Sequence, residues 1–137
     1  LLMNLAFGAY LAFFSYFIGG LSLLLAFMFL YVRLTPYKEY DLIRQGNRTA
    51  ALALAGNIIG YAIVIYTAIA HSVGWLDMAL WGAIGLLAQY IAYQIIQRIV
   101  IIGWAQQVEN DNVAAGILAA AVSIAIGLPN AASMTYR

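Results

Sequence analysis

Asn57, Gln89, Gln94, Ser123 and Asn130 are the polar side chains inside the long apolar stretches of this chain. Ionisable groups in such places are costly and mark ion or proton movement by default. These five are neutral. No Asp, Glu, Lys or Arg falls at mid-depth in any stretch, which weakens active, ion-coupled transport. Asn57 and Gln89 suit hydrogen bonds between helices first, and the lining of a narrow polar path second. His71 is the single histidine. It fits an interface better than a catalytic centre, and at most it supplies one axial ligand to a haem or chlorophyll. Two-histidine haem ligation and a multi-histidine metal site are excluded within one chain. Ser15, Ser22 and Ser123 have no base nearby in sequence, and neither do Ser133 and Thr135. No nucleophile–base pair, phosphate-cradling loop or paired-carboxylate arrangement stands out. Cysteine is absent, which removes disulfides and thiolate chemistry. The expectation is a protein without catalysis, metal or cofactor.

The elements that would position these residues follow from composition. Of 137 residues, 66% are hydrophobic and 8% charged, against roughly 25% charged in soluble domains. So few charges cannot cover a soluble surface, and a membrane protein follows. No basic run interleaved with aromatics points to nucleic acid. A membrane helix needs about 20 predominantly apolar residues. Four stretches qualify, at about 5–32, 49–70, 78–97 (running on towards 104) and 113–134. None shows the polar stripe of a soluble bundle helix or the alternation of a membrane barrel strand. The first is longer than needed and should tilt, bend near Gly19-Gly20, or project from the bilayer. Pro129 should kink the fourth. Met3 is a candidate start; otherwise the chain is a fragment. No basic segment resembling a signal peptide precedes the first span.

Five of the six Lys/Arg, namely Arg33, Lys38, Arg44, Arg48 and Arg98, fall on one side of this four-span arrangement. The positive-inside rule makes that side cytoplasmic. Loop 33–48 is then cytoplasmic, and both termini, with Arg137, are periplasmic or external. Tyr31, Tyr37, Tyr40 and Trp104 would mark the inner interface, and Trp75 and Trp81 the outer one.

The stretch "RQGNRTAALALAG" at 44–56 sets a polar knot against an apolar run, and "ENDNVAAGILAAA" at 109–121 does so again. At an offset of 65 residues, Gly20-Leu21 matches Gly85-Leu86, Arg33 matches Arg98, Asn47 matches Asn112, and Ala50 matches Ala115. The reading is a single integral membrane domain over 1–137, with repeat 1 at about 5–70 and repeat 2 at about 78–134. Each repeat holds two spans, so the two enter the membrane in parallel, related by a pseudo-two-fold axis along its normal. The fold class is all-α, four transmembrane helices from two parallel two-helix repeats. Asn47 and Asn112 precede spans two and four as N-caps. Arg33 and Arg98 end spans one and three, where they snorkel to headgroups or pair with Glu39, Asp41, Glu109 or Asp111. Gly56 and Gly60 form a short GxxxG. Ala115, Ala119, Ser123, Gly127 and Ala131 recur every fourth residue. Small residues let helices pack closely in lipid, either within the chain or between subunits. The second knot lacks the arginines of the first, so Arg44 and Arg48 are candidates for lipid or partner contact.

The segments "LTPYKEYDLIRQGNRTAALALAGNIIGYAI" (34–63) and "ENDNVAAGILAAAVSIAIGLPNAASMT" (109–135) resemble the YjfL-like family of small bacterial inner-membrane proteins, a domain of unknown function. The resemblance rests on Pro36 to Arg44, Gly46-Asn47, Asn112 to Ala115, and Gly127 to Ala131, and covers nearly the whole chain. Asp111 stands where the first repeat has Gly46, which counts against a shared anion-binding role. The resemblance implies no activity. It implies a place in the bacterial inner membrane and, weakly, an envelope-stress association. The favoured function is a non-enzymatic scaffold or accessory subunit, self-associated or bound to other membrane subunits in the lipid bilayer. A small channel or facilitator and a pigment- or haem-associated subunit are the alternatives.

Overall fold

The computed structural model describes residues 1–136, and they form helices joined by short turns. The helices are α1 (Leu2–Leu34), α2 (Glu39–Arg44), α3 (Arg48–His71), α4 (Trp75–Ile95), α5 (Trp104–Glu109) and α6 (Val113–Ser133). A π-helical turn, Ile96–Val100, prolongs α4, and a short 3₁₀ turn follows α6. Helices α1, α3, α4 with its π turn, and α6 are each long and apolar enough to cross a membrane. They coincide with the four expected spans to within a few residues at their ends. α1 is one unbroken helix through Gly19-Gly20, and α6 is unbroken through Pro129.

Helices α2 and α5 were not expected, because six residues are too few to carry a periodic signal. They end alike. Gly46 has φ 86° and Asp111 φ 53°. The next amide in each case returns to the helix, Asn47 N–H to the Leu42 carbonyl at 2.9 Å and Asn112 N–H to the Gln107 carbonyl at 3.0 Å. This is the Schellman closure, which needs a left-handed residue at that position. Glycine adopts it freely, whereas Asp111 holds it against a steric penalty.

α3 is the centre of the molecule and packs against α1, α4 and α6. Its closest partner is α6. Gly56 lies over Ala120, and Gly60 over Ser123 and Gly127, so near that a methyl on Gly127 would sit 2.5 Å from the Gly60 carbonyl oxygen. Ala115, Ala119, Ser123, Gly127 and Ala131 are all buried along α6. In lipid no hydrophobic drive joins helices, and close backbone approach supplies the contact instead. The small-residue faces are therefore used within the chain. α4 is tied to α3 by the Tyr61 hydroxyl, which donates to the Gly82 carbonyl at 2.9 Å. The C-terminal half of α1 joins the core through Phe27, stacked on Tyr61 at 4.7 Å between ring centres. Every residue from 1 to 15 is exposed, and Tyr16 is the first of α1 to pack on the core.

The chain thus gathers the end of α1, α2, the start of α3, the end of α4, α5 and the start of α6 at one end. Arg33, Lys38, Arg44, Arg48 and Arg98 share that end. Arg137 lies outside the described residues.

Candidate functional site

The two polar knots meet. Asn47 occupies the N-cap of α3 and its Oδ1 accepts from Ala50 N–H at 2.8 Å, while its Nδ2 donates to the Val108 carbonyl of α5 at 2.7 Å. Asn112 departs from expectation. It occupies the N-cap of α6 but makes no capping bond; its side chain donates to Gln107 Oε1 at 2.7 Å. The second knot spends its carboxylate on the first instead. Asp111 Oδ1 accepts from Thr49 N–H and from the Thr49 hydroxyl, both at 2.9 Å, and Arg48 Nε stands 3.5 Å from Oδ2. The Thr49 amide, more than the Arg48 charge, holds the Asp111 carboxyl below its usual range. The anion at the α3 N-terminus is thus this chain's own side chain. Arg44 pairs with Asp41 at 3.5 Å. Of the four acids expected to pair with Arg33 or Arg98, Asp41 is paired with Arg44 and Asp111 with Arg48. The Arg33 guanidinium lies over the Phe29 ring at 4.8 Å, and Arg98 is exposed on the π turn.

Deeper in the bundle, α3, α4 and α6 bring Asn57, Gln89 and Ser123 together, each 1% exposed or less. The expected bond between helices is made by Gln89 and not by Asn57. Asn57 Nδ2 turns back to the Ala53 carbonyl at 2.9 Å, and Gln89 Nε2 reaches only the Asn57 backbone carbonyl at 3.5 Å. Asn57 Oδ1, Gln89 Oε1 and Ser123 Oγ are left with no hydrogen bond among the described residues. Gln89 also lines a cavity of about 310 Å³ between α1 and α4, which runs to Tyr31 and Tyr93.

That cavity leads to a cluster missed in the sequence. Tyr31 and Tyr37 were expected as interface anchors, as was Trp104, but all three are buried; Tyr40 alone of that set is exposed. Tyr37 of the α1–α2 link packs edge to face on Trp104 of α5, with 6.5 Å between ring centres. Trp104 Nε1 donates to the Tyr37 hydroxyl at 3.1 Å, and Tyr31 meets Tyr93 of α4 edge to face at 5.8 Å. Glu39, first residue of α2, points into this cluster and is 0% exposed. Among the described residues neither carboxylate oxygen makes a well-formed hydrogen bond, nor do the Tyr31 and Tyr93 hydroxyls. Burial pushes the Glu39 carboxyl up to about 7, although the Tyr37 and Thr35 hydroxyls lie near enough to oppose this. Burial, then the neighbouring Tyr31 and Glu39, push the Tyr37 phenol far above its ordinary value, so it stays a donor. A second cavity, of about 370 Å³, opens from Glu39, Thr35 and Tyr37 between Arg33 and Asp41.

The sequence pattern of a known family decides the relationship. The family described as Domain of Unknown Function (DUF350) matches residues 4–134. The chain belongs to the DUF350 family. It is 34% identical over 126 residues to the inner membrane protein YjfL of Escherichia coli strain K12, covering 92% of this chain and 95% of that one. It is 30% identical over 124 residues to the transmembrane protein YshE of Bacillus subtilis strain 168, covering 88% and 90%. No solved structure matches. This DUF350 chain is accordingly a polytopic inner-membrane protein with four transmembrane helices.

The relatives' names give a place and no activity, so chemistry is read from side chains. Among the described residues no group of three or more His, Cys, Asp or Glu is arranged to hold a metal ion. His71 ends α3, exposed, at the pole opposite the polar knots. The Ser22, Ser133 and Thr135 hydroxyls donate to carbonyls of their own turns. What distinguishes the DUF350 chain is the row of buried oxygens from Ser123, Asn57 and Gln89 towards Tyr93, Tyr31 and Glu39.

Proposed function

We propose that this protein is a non-enzymatic membrane subunit that works as an assembly of several copies of the chain. The observation that carries this reading is the N-terminal half of α1, where residues 1–15 are exposed on every side. That segment has its own small residues, Gly8, Ala12 and Ser15, at the four-three spacing of a left-handed helix pair. A second copy offers the same stripe. The equivalent stripes on α3 and α6 are already used within the chain and leave no room for a partner. Native mass measurement after mild detergent extraction should find a discrete oligomer. A strictly monomeric particle, at concentrations where the protein is stable, sinks the reading.

Two further features belong with this proposal. The descent of the fold from two parallel repeats is supported by α2 and α5, whose first and last residues are each 65 positions apart, and by the matched left-handed residues Gly46 and Asp111. The gathering of Arg33, Lys38, Arg44, Arg48 and Arg98 at one end supports a cytoplasmic loop face with external termini. A reporter fused after the last residue that read as cytoplasmic would overturn this orientation.

A second reading, a small facilitator, is favoured by one observation. The unpartnered oxygens of Ser123, Asn57 and Gln89 lie where a passing polar solute would need them. Protein in sealed liposomes should then raise solute or ion flux, and Asn57→Leu should reduce it. Flux equal to that of empty liposomes rejects this reading.

A further inference from the structure

Glu39 presents a question that neither reading answers. A carboxylate at 0% exposure, with no well-formed hydrogen bond to either oxygen and only the Tyr37 and Thr35 hydroxyls near it, is expensive to bury. Proteins solve this by pairing the charge, by neutralising it with a proton, or by placing a cation there. Pairing within the chain is absent: among the described residues no lysine or arginine forms an ion pair with Glu39. Lys38 beside it is exposed, Arg33 lies on Phe29, and Asp41 is engaged by Arg44.

The groups that face the carboxylate come from each element packed around it. Thr35 and Tyr37 belong to the α1–α2 link, Tyr31 to α1 and Tyr93 to α4. All present hydroxyls. The Thr35 hydroxyl is committed to the Val32 carbonyl at 3.0 Å. The Tyr37 oxygen accepts from Trp104 Nε1 at 3.1 Å, and its hydroxyl stands beside the carboxylate. Among the described residues the Tyr31 and Tyr93 oxygens make no well-formed hydrogen bond, and the Tyr37 hydroxyl is the one beside Tyr31. The result is one negative carboxylate with neutral oxygens around it, beside a cavity that opens to the loop face. Oxygen-only surroundings suit hard cations. A divalent ion would remain under-neutralised by a single carboxylate. A monovalent ion would be neutralised, and the rings of Tyr31 and Tyr93 would add aromatic stabilisation.

We propose that Glu39, with the hydroxyl oxygens of Tyr31 and Tyr93, forms a binding site for one alkali metal cation at the loop face of the bundle. The ion enters from the cavity between Arg33 and Asp41, and it exchanges with a proton on the Glu39 carboxylate. Binding is therefore favoured at alkaline pH and opposed by acid. The site stands whether or not the chain assembles, and whether or not solutes cross it.

The test uses the full chain in detergent, in N-methyl-D-glucamine chloride at constant ionic strength, with NaCl or KCl substituted stepwise. At pH 8 the melting temperature should rise with Na⁺ or K⁺ and saturate. At pH 5.5 the half-saturating concentration should shift upward by tenfold or more, since protons then compete for the same oxygen. Glu39→Gln should abolish the response. Tyr93→Phe keeps the carboxylate and removes one oxygen, and should weaken binding by about tenfold; it decides the matter if the glutamine variant does not fold. Identical melting in all three salts overturns the site. So does a saturable response that Glu39→Gln or Tyr93→Phe leaves unchanged. Should acid alone stabilise the protein, with no difference between salts, Glu39 is a proton site and the cation is excluded.

Discussion

Glu39 also makes a prediction that needs no added ion. In the unfolded chain its carboxyl titrates near the ordinary 4.5, and in the folded protein near 7, because burial penalises the charged form. Between those values the folded state binds more protons than the unfolded state. Stability from this group is therefore complete below about pH 4.5 and is lost as pH rises through about 7. The shift corresponds to about 3 kcal/mol over that window. In a medium free of alkali cations, the wild-type melting temperature should fall from pH 5 to pH 8, and Glu39→Gln should stay nearly flat. Tyr37 adds no slope of its own there, since its phenol remains protonated throughout. Equal slopes for the two proteins would mean that the carboxylate is already neutralised by something else. Little of this was legible in "TPYKEYD". Read locally, Glu39 belongs to a charged linker, and the only use foreseen for it was an ion pair. Its surroundings include Tyr93, and its neighbour Tyr37 is covered by Trp104, both from the other half of the chain. Asn47 was legible because capping is local. Asn112 was misjudged because a carboxylate next door, on Asp111, reorganised both knots.

At the scale of elements, the four long helices were plain from composition, since a bilayer demands about 20 apolar residues whatever the fold. α2 and α5 were not, because each is too short to show a period. The α3–α6 seam was half legible. The small residues and their spacing were visible, but whether they faced this chain or another depended on which helices the short connections allow to touch. The seam now makes a sharp demand. Added bulk at Gly127 must displace the Gly60 backbone, which no rotamer change can relieve. Overpacking a close seam costs about 1–3 kcal/mol, more where backbone must move. Gly127→Leu should lower the melting temperature clearly and spread the Asn57, Gln89 and Ser123 cluster apart. Gly60→Ala should act in the same direction, because its methyl would meet Gln89 Nε2 and the Ser123 carbonyl. A Gly127→Leu protein as stable as the wild type would contradict the described α3–α6 contact.

For the whole molecule the decisive contrast lies between two glycines of the same kind. Gly127 is enclosed, while an added methyl at Gly8 meets nothing within 4 Å in the isolated chain. Both sit on small-residue stripes in apolar helices, so sequence alone gives them the same meaning. If the chain acts alone, Gly8→Leu merely adds a side chain to a lipid-facing surface, and neither mass nor stability should change. Under the assembly reading the same substitution fills the groove that a second α1 would occupy. Helix pairs of this type depend on close approach of small residues and tolerate little bulk. Gly8→Leu and Ala12→Leu should therefore leave the monomer's helix content and α3–α6 seam intact while shifting the native mass towards smaller species. Gly127→Leu should do the reverse, lowering stability before it changes mass. Native mass spectrometry of the three variants beside the wild type separates the two surfaces. An oligomer that survives both Gly8→Leu and Ala12→Leu would place its interface elsewhere and remove the role assigned to the N-terminal half of α1.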